Sequence, residues 1–245
     1  MLDAQIIHNL KNLISKISEH IKLKNTGIIR CMEFSEEAIR EERERLSFNH
    51  PGFNYPLMHR WIRKSDTLEM ARVIRRSAHH LKGFINWAQY ATKWDFKQIQ
   101  KFVNDHADPE PPRMHLVFLL GKQIVGMGSL APMGRLDEIQ ISLWVAEGFQ
   151  GRGIGTRIAS TMEMYAFEVW GYSKLYYQCD ANNVHSKKLP HKLGFTYSHT
   201  FEDEISAQNE SGFWFSFVKE RPNDLPPAIF QGADIDQFTK VRHKQ

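Results

Sequence analysis

The sequence predicts an α/β (α+β) fold, because segments with the periodicity of strands alternate with segments with the periodicity of helices. Residues 136–145 alternate apolar and polar side chains, which is the period of a half-buried strand. Residues 154–169 repeat apolar side chains every three or four positions, and Gly171 ends the run. A glycine-rich turn at 150–155 joins this strand directly to this helix. The unit of strand, turn and helix is the centre of the predicted domain.

The amino-terminal part of the chain predicts a helical extension ahead of this domain. Apolar residues at spacings of three and four mark residues 3–23 as an amphipathic helix, and interleaved charges mark 35–47 as a second helix. A turn-rich segment follows, so we expect an extension at 1–55, the main domain at 56–220 and a tail at 221–245. The apolar face of the first helix needs a partner. We expect it to pack on the chain's own domain or on a second copy in a homodimer.

The remaining elements follow from local patterns. Asp66-x-x-Glu69 has the form of a capping box and predicts the start of a helix that runs through Ala78. Gly121-Lys122 separates two apolar runs and predicts a hairpin turn. The other predicted elements are a strand at 57–62, a helix at 96–103, strands at 116–120 and 123–130, and a strand at 175–179.

Composition excludes several classes of protein. The chain has 245 residues with 42% hydrophobic content, which is enough to bury a core without disulfides. No apolar run approaches the roughly 18 residues of a membrane span, and the amino terminus lacks the form of a secretory signal. Cys31 and Cys179 form no Cys-x-x-Cys motif, and the adjacent His79 and His80 lack ligand spacing. We therefore expect a cytoplasmic protein with no membrane association and no bound metal.

The turn after the central strand predicts an anion site. Gly151, Gly153 and Gly155 let the backbone turn its N–H groups inward, and the following helix adds the positive end of its dipole. No lysine follows Gly155, which excludes the phosphate loop of nucleoside triphosphatases. The sixth position counted from Gly151 is Thr156 rather than glycine, which excludes a dinucleotide fold.

Two motifs instead resemble the GCN5-related N-acetyltransferases (GNAT). Gln150-x-x-Gly153-x-Gly155 is similar to the family signature Gln/Arg-x-x-Gly-x-Gly/Ala, which binds the pyrophosphate of acetyl-coenzyme A. Asn183-Val-His-Ser186, followed by Leu-Gly-Phe at 193–195, resembles the element that packs beside the pantetheine arm. The resemblance implies the GNAT fold, with a mixed central sheet of about six or seven strands flanked by helices. It also implies acetyl-coenzyme A as the acetyl donor.

A third motif narrows the resemblance within the family. Leu81-Lys-Gly-Phe-Ile-Asn-Trp87-Ala88 is similar to a stretch of the RimJ/RimL-type ribosomal-protein N-terminal acetyltransferases. The resemblance covers about residues 57–220 and implies these coenzyme-binding residues: Leu143, Trp144, Val145, Gln150, Gly151, Arg152, Gly153, Ile154, Gly155, Thr156, Asn183 and Ser186. The Val145 N–H is a candidate oxyanion donor. The net charge of +4 fits the phosphates of the coenzyme, so no nucleic acid partner is required.

The chain departs from the family at the position of the general base. Relatives of the RimJ/RimL type often carry a glutamate four residues before the tryptophan of the strand, and this place is Gln140. An amide cannot take up a proton, so we expect the base to be Glu138, acting through a water, or Glu204.

A second departure concerns the general acid. Many family members carry a tyrosine four residues before the Gly-Phe pair, and this chain has Pro190. We expect Ser186 to bind the coenzyme sulfur instead, and Pro190 to interrupt the helix after Ser186. Cys179 is expected to be a buried structural cysteine.

Proton energetics favour one class of acceptor. A protein α-amine has a pKa near 8 and lysine near 10.4, so the α-amine is about 3 kcal/mol easier to deprotonate at neutral pH. We therefore expect direct transfer of acetyl to a protein N-terminus. A small amine such as an aminoglycoside or a polyamine is the alternative acceptor. A non-catalytic module that binds acyl-coenzyme A is a third reading, motivated by Gln140 and Pro190.

Overall fold

The computed structural model describes residues 57–107, 113–135 and 137–225. The predicted N-terminal extension, its proposed homodimer helix and most of the tail lie outside these residues. In chain order the described elements are β1 (Leu57–Trp61), a 3-10 turn (Lys64–Asp66), α1 (Thr67–Leu81), α2 (Asn86–Ala91), α3 (Phe96–Ala107), β2 (Met114–Leu120), β3 (Gln123–Pro132), β4 (Glu138–Val145), α4 (Ile154–Met164), a π-helical turn (Tyr165–Val169), β5 (Lys174–Asp180), α5 (Val184–Lys192), β6 (Thr196–Glu202) and β7 (Phe213–Glu220). No helix among them is long and apolar enough to cross a membrane.

The strands form one mixed sheet, which confirms the predicted fold class. Its seven strands have the order β1-β2-β3-β4-β5-β7-β6. Only β4 and β5 pair in parallel, and every other neighbouring pair is antiparallel. The crossover between β4 and β5 contains α4, as a parallel connection requires. The hairpin predicted about Gly121-Lys122 joins β2 and β3, where Leu120 pairs with Gln123.

Two hydrophobic cores lie on opposite faces of the sheet. One packs α1, α2 and α3 against residues such as Val117, Met127 and Trp144. The other packs α4 and Leu189 of α5 against residues such as Phe118 and Ile141. Both faces of β2 and β3 are therefore covered, which explains why these two strands are buried along most of their length.

The helix α4 lies unusually close to β3 because two strand positions are glycines. A Cβ atom built on Gly126 would lie 2.7 Å from the carbonyl oxygen of Trp144 and 2.8 Å from Ile158 Cδ1. A Cβ on Gly128 would lie 2.8 Å from Ile158 Cγ2 and 2.9 Å from Met162. These two glycines set the depth at which α4, and hence the turn that precedes it, rests on the sheet.

The structure corrects the predicted capping box. Asp66 closes the 3-10 turn, and its side chain makes no cap hydrogen bond to α1. Its carboxylate instead pairs with Arg60 at 2.6 Å and accepts the Arg63 N–H at 2.8 Å. The charge-assisted pair with a residue of β1 outcompetes the local cap, because the two hydrogen bonds to a guanidinium are stronger than one to a backbone amide. The helix also extends past Ala78, to Leu81.

The expected break at Pro190 is also wrong. The helix α5 continues through this residue to Lys192. Proline removes one N–H donor, which would otherwise have bonded to the carbonyl of Ser186. The last turn is held by other donors, since the N–H of Phe195 bonds to the Pro190 carbonyl at 2.9 Å and that of Leu193 bonds to the Leu189 carbonyl at 3.1 Å. Pro190 itself is buried against the core.

We predict that Gly126→Ala destabilises the domain by about 1–3 kcal/mol, because the added methyl meets a backbone carbonyl that has no room to move. Equilibrium denaturation by urea would measure the loss. Gly155→Ala is the matched control, since its Cβ would lie 3.7 Å from Val145 Cγ2, an ordinary contact. Equal stabilities of the two variants would contradict the close approach of α4 to β3.

Candidate active site at the splay of the sheet

The parallel pairing in the centre of the sheet ends before the strands do. β4 pairs with β5 only from Glu138 to Ile141, opposite Lys174 to Tyr177. Residues 142–145 keep their pairing with β3 alone, and residues 178–180 keep theirs with β7 alone. The two strands therefore splay apart. The backbone of Leu143, Trp144 and Val145, which the sequence predicts to bind the coenzyme, borders this opening.

The glycine-rich turn begins where the splayed strand ends. Gly148, Gly151 and Gly153 have φ values of +82°, +71° and +77°, a region that favours glycine. The Gln150 side chain fastens the turn from within, because its Nε2 donates to the Val145 carbonyl at 3.1 Å and its Oε1 accepts the Gly148 N–H at 3.1 Å. The signature glutamine thus holds the shape of the turn.

The first turn of α4 presents backbone donors next to this loop. Gly153 is the N-cap residue, and its carbonyl accepts the N–H of Arg157 at 3.1 Å. The N–H groups of residues 154–156 have no partner within the helix, because the first turn of any helix lacks acceptors for them. Such a helix terminus binds anions through its N–H groups and its dipole.

Two guanidinium groups flank the residue before Gln150. Arg76 of α1 lies 5.4 Å from the centre of the Phe149 ring, and Arg152 lies 5.9 Å from it. The loop is also tied to α1 by the Glu147 N–H, which donates to the Ser77 hydroxyl at 3.0 Å. Arg76 is distant in sequence from the glycine motif, so the motif gave no signal for it.

The candidate base Glu138 lies at the paired end of β4. Its carboxylate lies 3.7 Å from Lys174 Nζ. Burial, followed by the nearby Glu138 carboxylate, raises the pKa of Tyr176. Gln140, two residues closer to the splay, donates from its Nε2 to Gln178 Oε1 at 3.0 Å. The position at the closed end of the splay is therefore occupied by a pair of neutral amides.

Ser186 is joined to a buried phenol that sequence reasoning missed. Asn183 caps α5 by accepting the Ser186 N–H at 3.0 Å. The Ser186 hydroxyl lies 2.8 Å from the Tyr177 hydroxyl, and burial raises the pKa of Tyr177 to about 12. Cys179 is buried as expected, and desolvation raises its thiol pKa to about 11, which makes it a poor nucleophile. The alternation of β5 could have indicated that Tyr177 and Cys179 share a face.

The other candidate base, Glu204, lies in the loop between β6 and β7. Glu204 is exposed, and its N–H donates to the Asp203 carboxylate at 2.8 Å. The same loop is fixed at two distant places. The Asn209 N–H donates to the Gly83 carbonyl at 2.9 Å, and the Ser211 N–H donates to Asp180 at 2.8 Å. Glu138 and Glu204 thus belong to separate parts of the domain, and the loop bridges from β5 to the end of α1.

Within the described residues, no group of three or more histidine, cysteine, aspartate or glutamate side chains has the arrangement of a metal site.

Solved structures of acetyltransferases share this fold. RimL, the ribosomal L7/L12 α-N-protein acetyltransferase, in complex with coenzyme A, is 16% identical with a TM-score of 0.59 over 71% of this chain and 99% of that one. The ribosomal-protein-S5-alanine acetyltransferase of Vibrio fischeri is 18% identical with a TM-score of 0.57, over 74% and 97% of the two chains. RimJ of Mycobacterium smegmatis, in complex with a coenzyme A disulfide, is 17% identical with a TM-score of 0.58, over 76% and 90%. No curated protein sequence matches the chain.

A sequence model of a protein family also matches this part of the chain. Residues 81–195 match the model of the acetyltransferase (GNAT) family, and this range spans the splay, the glycine turn and the Leu-Gly-Phe element. The matched range also contains the predicted glycine motif and the observed strand, turn and helix. Residues 81–195 therefore carry a domain of the GNAT family of acetyltransferases.

Proposed function

We propose that the domain binds acetyl-coenzyme A in the splay and transfers its acetyl group to the α-amine of a protein N-terminus. One observation carries the proposal. The pairing of β4 with β5 stops after Ile141, and this leaves a strand edge that leads directly to the N–H groups of the turn at 150–156. The diphosphate would bind those N–H groups, with Arg152 nearby. The pantetheine amides would pair with the free edge of Leu143 to Val145, beside Asn183.

The reaction needs three contributions from the site. The neutral amine attacks the thioester carbonyl, and the resulting oxyanion needs a donor, for which we propose the Val145 N–H. Collapse of the tetrahedral intermediate breaks the carbon–sulfur bond and releases coenzyme A as a thiolate. Ser186 would donate a hydrogen bond to this sulfur, and its contact with the Tyr177 hydroxyl supports that role by keeping the serine side chain in place. The thiolate then takes up a proton from solvent.

The amine proton needs an acceptor, and two carboxylates are proposed. Glu138 lies on the same strand face as Gln140 and would act through a water. Glu204 lies on the loop that bridges from β5 to the end of α1 and is exposed. Glu138 lies only two residues from Gln140 on the same strand, which makes it the first candidate.

The proposed acceptor class rests on proton energetics and on the relatives. The weak bases at hand favour an amine with a pKa near 8 over lysine near 10.4. The structural neighbours include enzymes described as acting on the ribosomal proteins L7/L12 and S5. We further propose that the protein works in the cytoplasm, where protein N-termini are made.

We predict that Gly153→Ala lowers the affinity for coenzyme A about tenfold or more, because alanine disfavours φ of +77° and the turn must rearrange. Calorimetry with coenzyme A would measure the change. Gly134→Ala is the matched control, since its φ is +79° and a Cβ there meets nothing within 4 Å. It should lose similar stability and keep its affinity. Equal affinities of G153A and wild type would contradict the proposed diphosphate site.

We predict that peptides with a free α-amine release thiol from acetyl-coenzyme A faster at pH 7 than peptides whose only amine is lysine. The difference should shrink as the pH rises toward 10, because lysine then loses its proton to solvent. A thiol-release screen with both peptide types, aminoglycosides and polyamines would measure it. Preferential release with a polyamine or an aminoglycoside would move the assignment to a small-molecule acceptor.

We predict that Glu138→Gln lowers kcat about 100-fold while the affinity for coenzyme A stays unchanged, since a general base contributes at least this factor. Ser186→Ala should lower kcat about tenfold through the loss of one hydrogen bond to a charged sulfur. Glu204→Gln tests the second carboxylate in the same assay. Wild-type rates in all three variants would show that the assigned residues take no part in the reaction.

A further inference from the structure

The amide pair at the closed end of the splay has hydrogen-bonding capacity that the rest of the described residues leave unused. Gln140 is paired with Tyr176, one position before the last register pair of β4 and β5, and Gln178 is the first residue of β5 beyond that pairing. Their side chains are half-buried and joined by one hydrogen bond, from Gln140 Nε2 to Gln178 Oε1 at 3.0 Å. Each primary amide carries one carbonyl acceptor and one NH2 donor.

The free groups of the pair follow from this one bond. It uses one N–H of Gln140 and one lone pair of the Gln178 carbonyl, and it leaves the whole Gln140 carbonyl and the whole Gln178 NH2 group for a ligand. If both amides were turned over, the bond would run the other way, and the free groups would again be one carbonyl and one NH2 group. The pair therefore presents one acceptor beside one donor whichever orientation holds.

We infer that Gln140 and Gln178 form a subsite for the α-amino group and the adjacent carbonyl group of the acceptor. The inference rests on the proposed function and extends it to the recognition of the acceptor. The amine N–H would donate to the free amide carbonyl, and the first carbonyl of the peptide would accept from the free NH2 group. A lysine side chain or a polyamine offers only the first of these contacts.

The absence of charge on the two amides also affects which form of the acceptor amine is bound. A carboxylate at position 140 would attract an ammonium ion, whereas two amides bear no charge and offer no such attraction. The protonated form of the acceptor is the unreactive one, because its nitrogen has no lone pair. An uncharged subsite therefore does not attract the protonated amine more strongly than the reactive free amine.

A hydroxyl group next to Gln178 also has unused hydrogen-bonding capacity within the described residues. Ser216 lies directly across from Gln178 in the pairing of β5 with β7 and is fully buried. Its hydroxyl has no hydrogen-bond partner within the described residues. A buried hydroxyl without a partner is costly to a fold. Because Ser216 has no exposed surface, its hydroxyl is available to the side-chain amide of Gln178 rather than to a ligand directly.

The test compares two probes that differ in one group. Alaninamide carries an amine next to a carboxamide, and isopropylamine replaces that carboxamide by a methyl group. We expect Gln178→Met to raise the KM for alaninamide roughly three- to tenfold, the effect of one hydrogen bond, with no change for isopropylamine or for coenzyme A. Gln100→Met, at an exposed position of α3, is the matched control and should match wild type for both probes.

A second measurement is independent of turnover. In the 15N spectrum of the protein bound to coenzyme A, alaninamide should shift the side-chain amide signals of Gln140 and Gln178, and isopropylamine should leave the Gln178 signal in place. Unshifted amide signals, or equal KM values for alaninamide in Q178M and wild type, would overturn the subsite. Shifted signals without thiol release from any amine would instead refute the proposed transfer and leave the subsite standing.

Discussion

The loss of hydrogen bonding between β4 and β5 is the constraint on which the rest of the site depends. A parallel pair that continued past Ile141 and Tyr177 would close the sheet and leave no strand edge for a ligand. The splay is possible because each strand keeps a partner on its other side, β3 for β4 and β7 for β5. The unpaired edges of the two strands are therefore held in place by β3 and β7 on their other sides. An edge of this kind, inside a sheet whose neighbours are fully paired, is ready to receive the amides of an extended ligand without reorganisation.

The turn and α4 are also held in a fixed position relative to the end of β4. Gln150 bonds back to Val145, the last residue of the splayed strand, so the turn and the strand edge move as one piece. The glycines at 126 and 128 let α4 settle close to β3, and this brings the start of the helix into line with the end of β4. Three features thus fix the position of the turn. They are the hydrogen bond from the Gln150 side chain, the positive φ of the turn glycines, and the absence of a Cβ at positions 126 and 128.

Local patterns predicted the centre of the fold, and contacts between distant residues account for what they missed. The alternation at 136–145 and the glycine motif depend only on neighbours in sequence, and both features are present as predicted. Asp66 was misread because its partner Arg60 lies on β1. β6 gave no signal, since it is an edge strand exposed along nearly all of its length. The pairing of Gln140 with Gln178 depends on the parallel register, which no local pattern in the sequence specifies.

The loop between β6 and β7 has a kinetic consequence. It is fastened to the carbonyls of Lys82 and Gly83 at one end and to the Asp180 carboxylate at the other, while Glu210 braces its interior by accepting the N–H groups of Ser206 and Ala207. These bonds share one short segment, so they break together rather than singly. Opening of this segment would then be one cooperative local unfolding event, and the frequency of that event would set how fast the amides of the segment exchange with solvent.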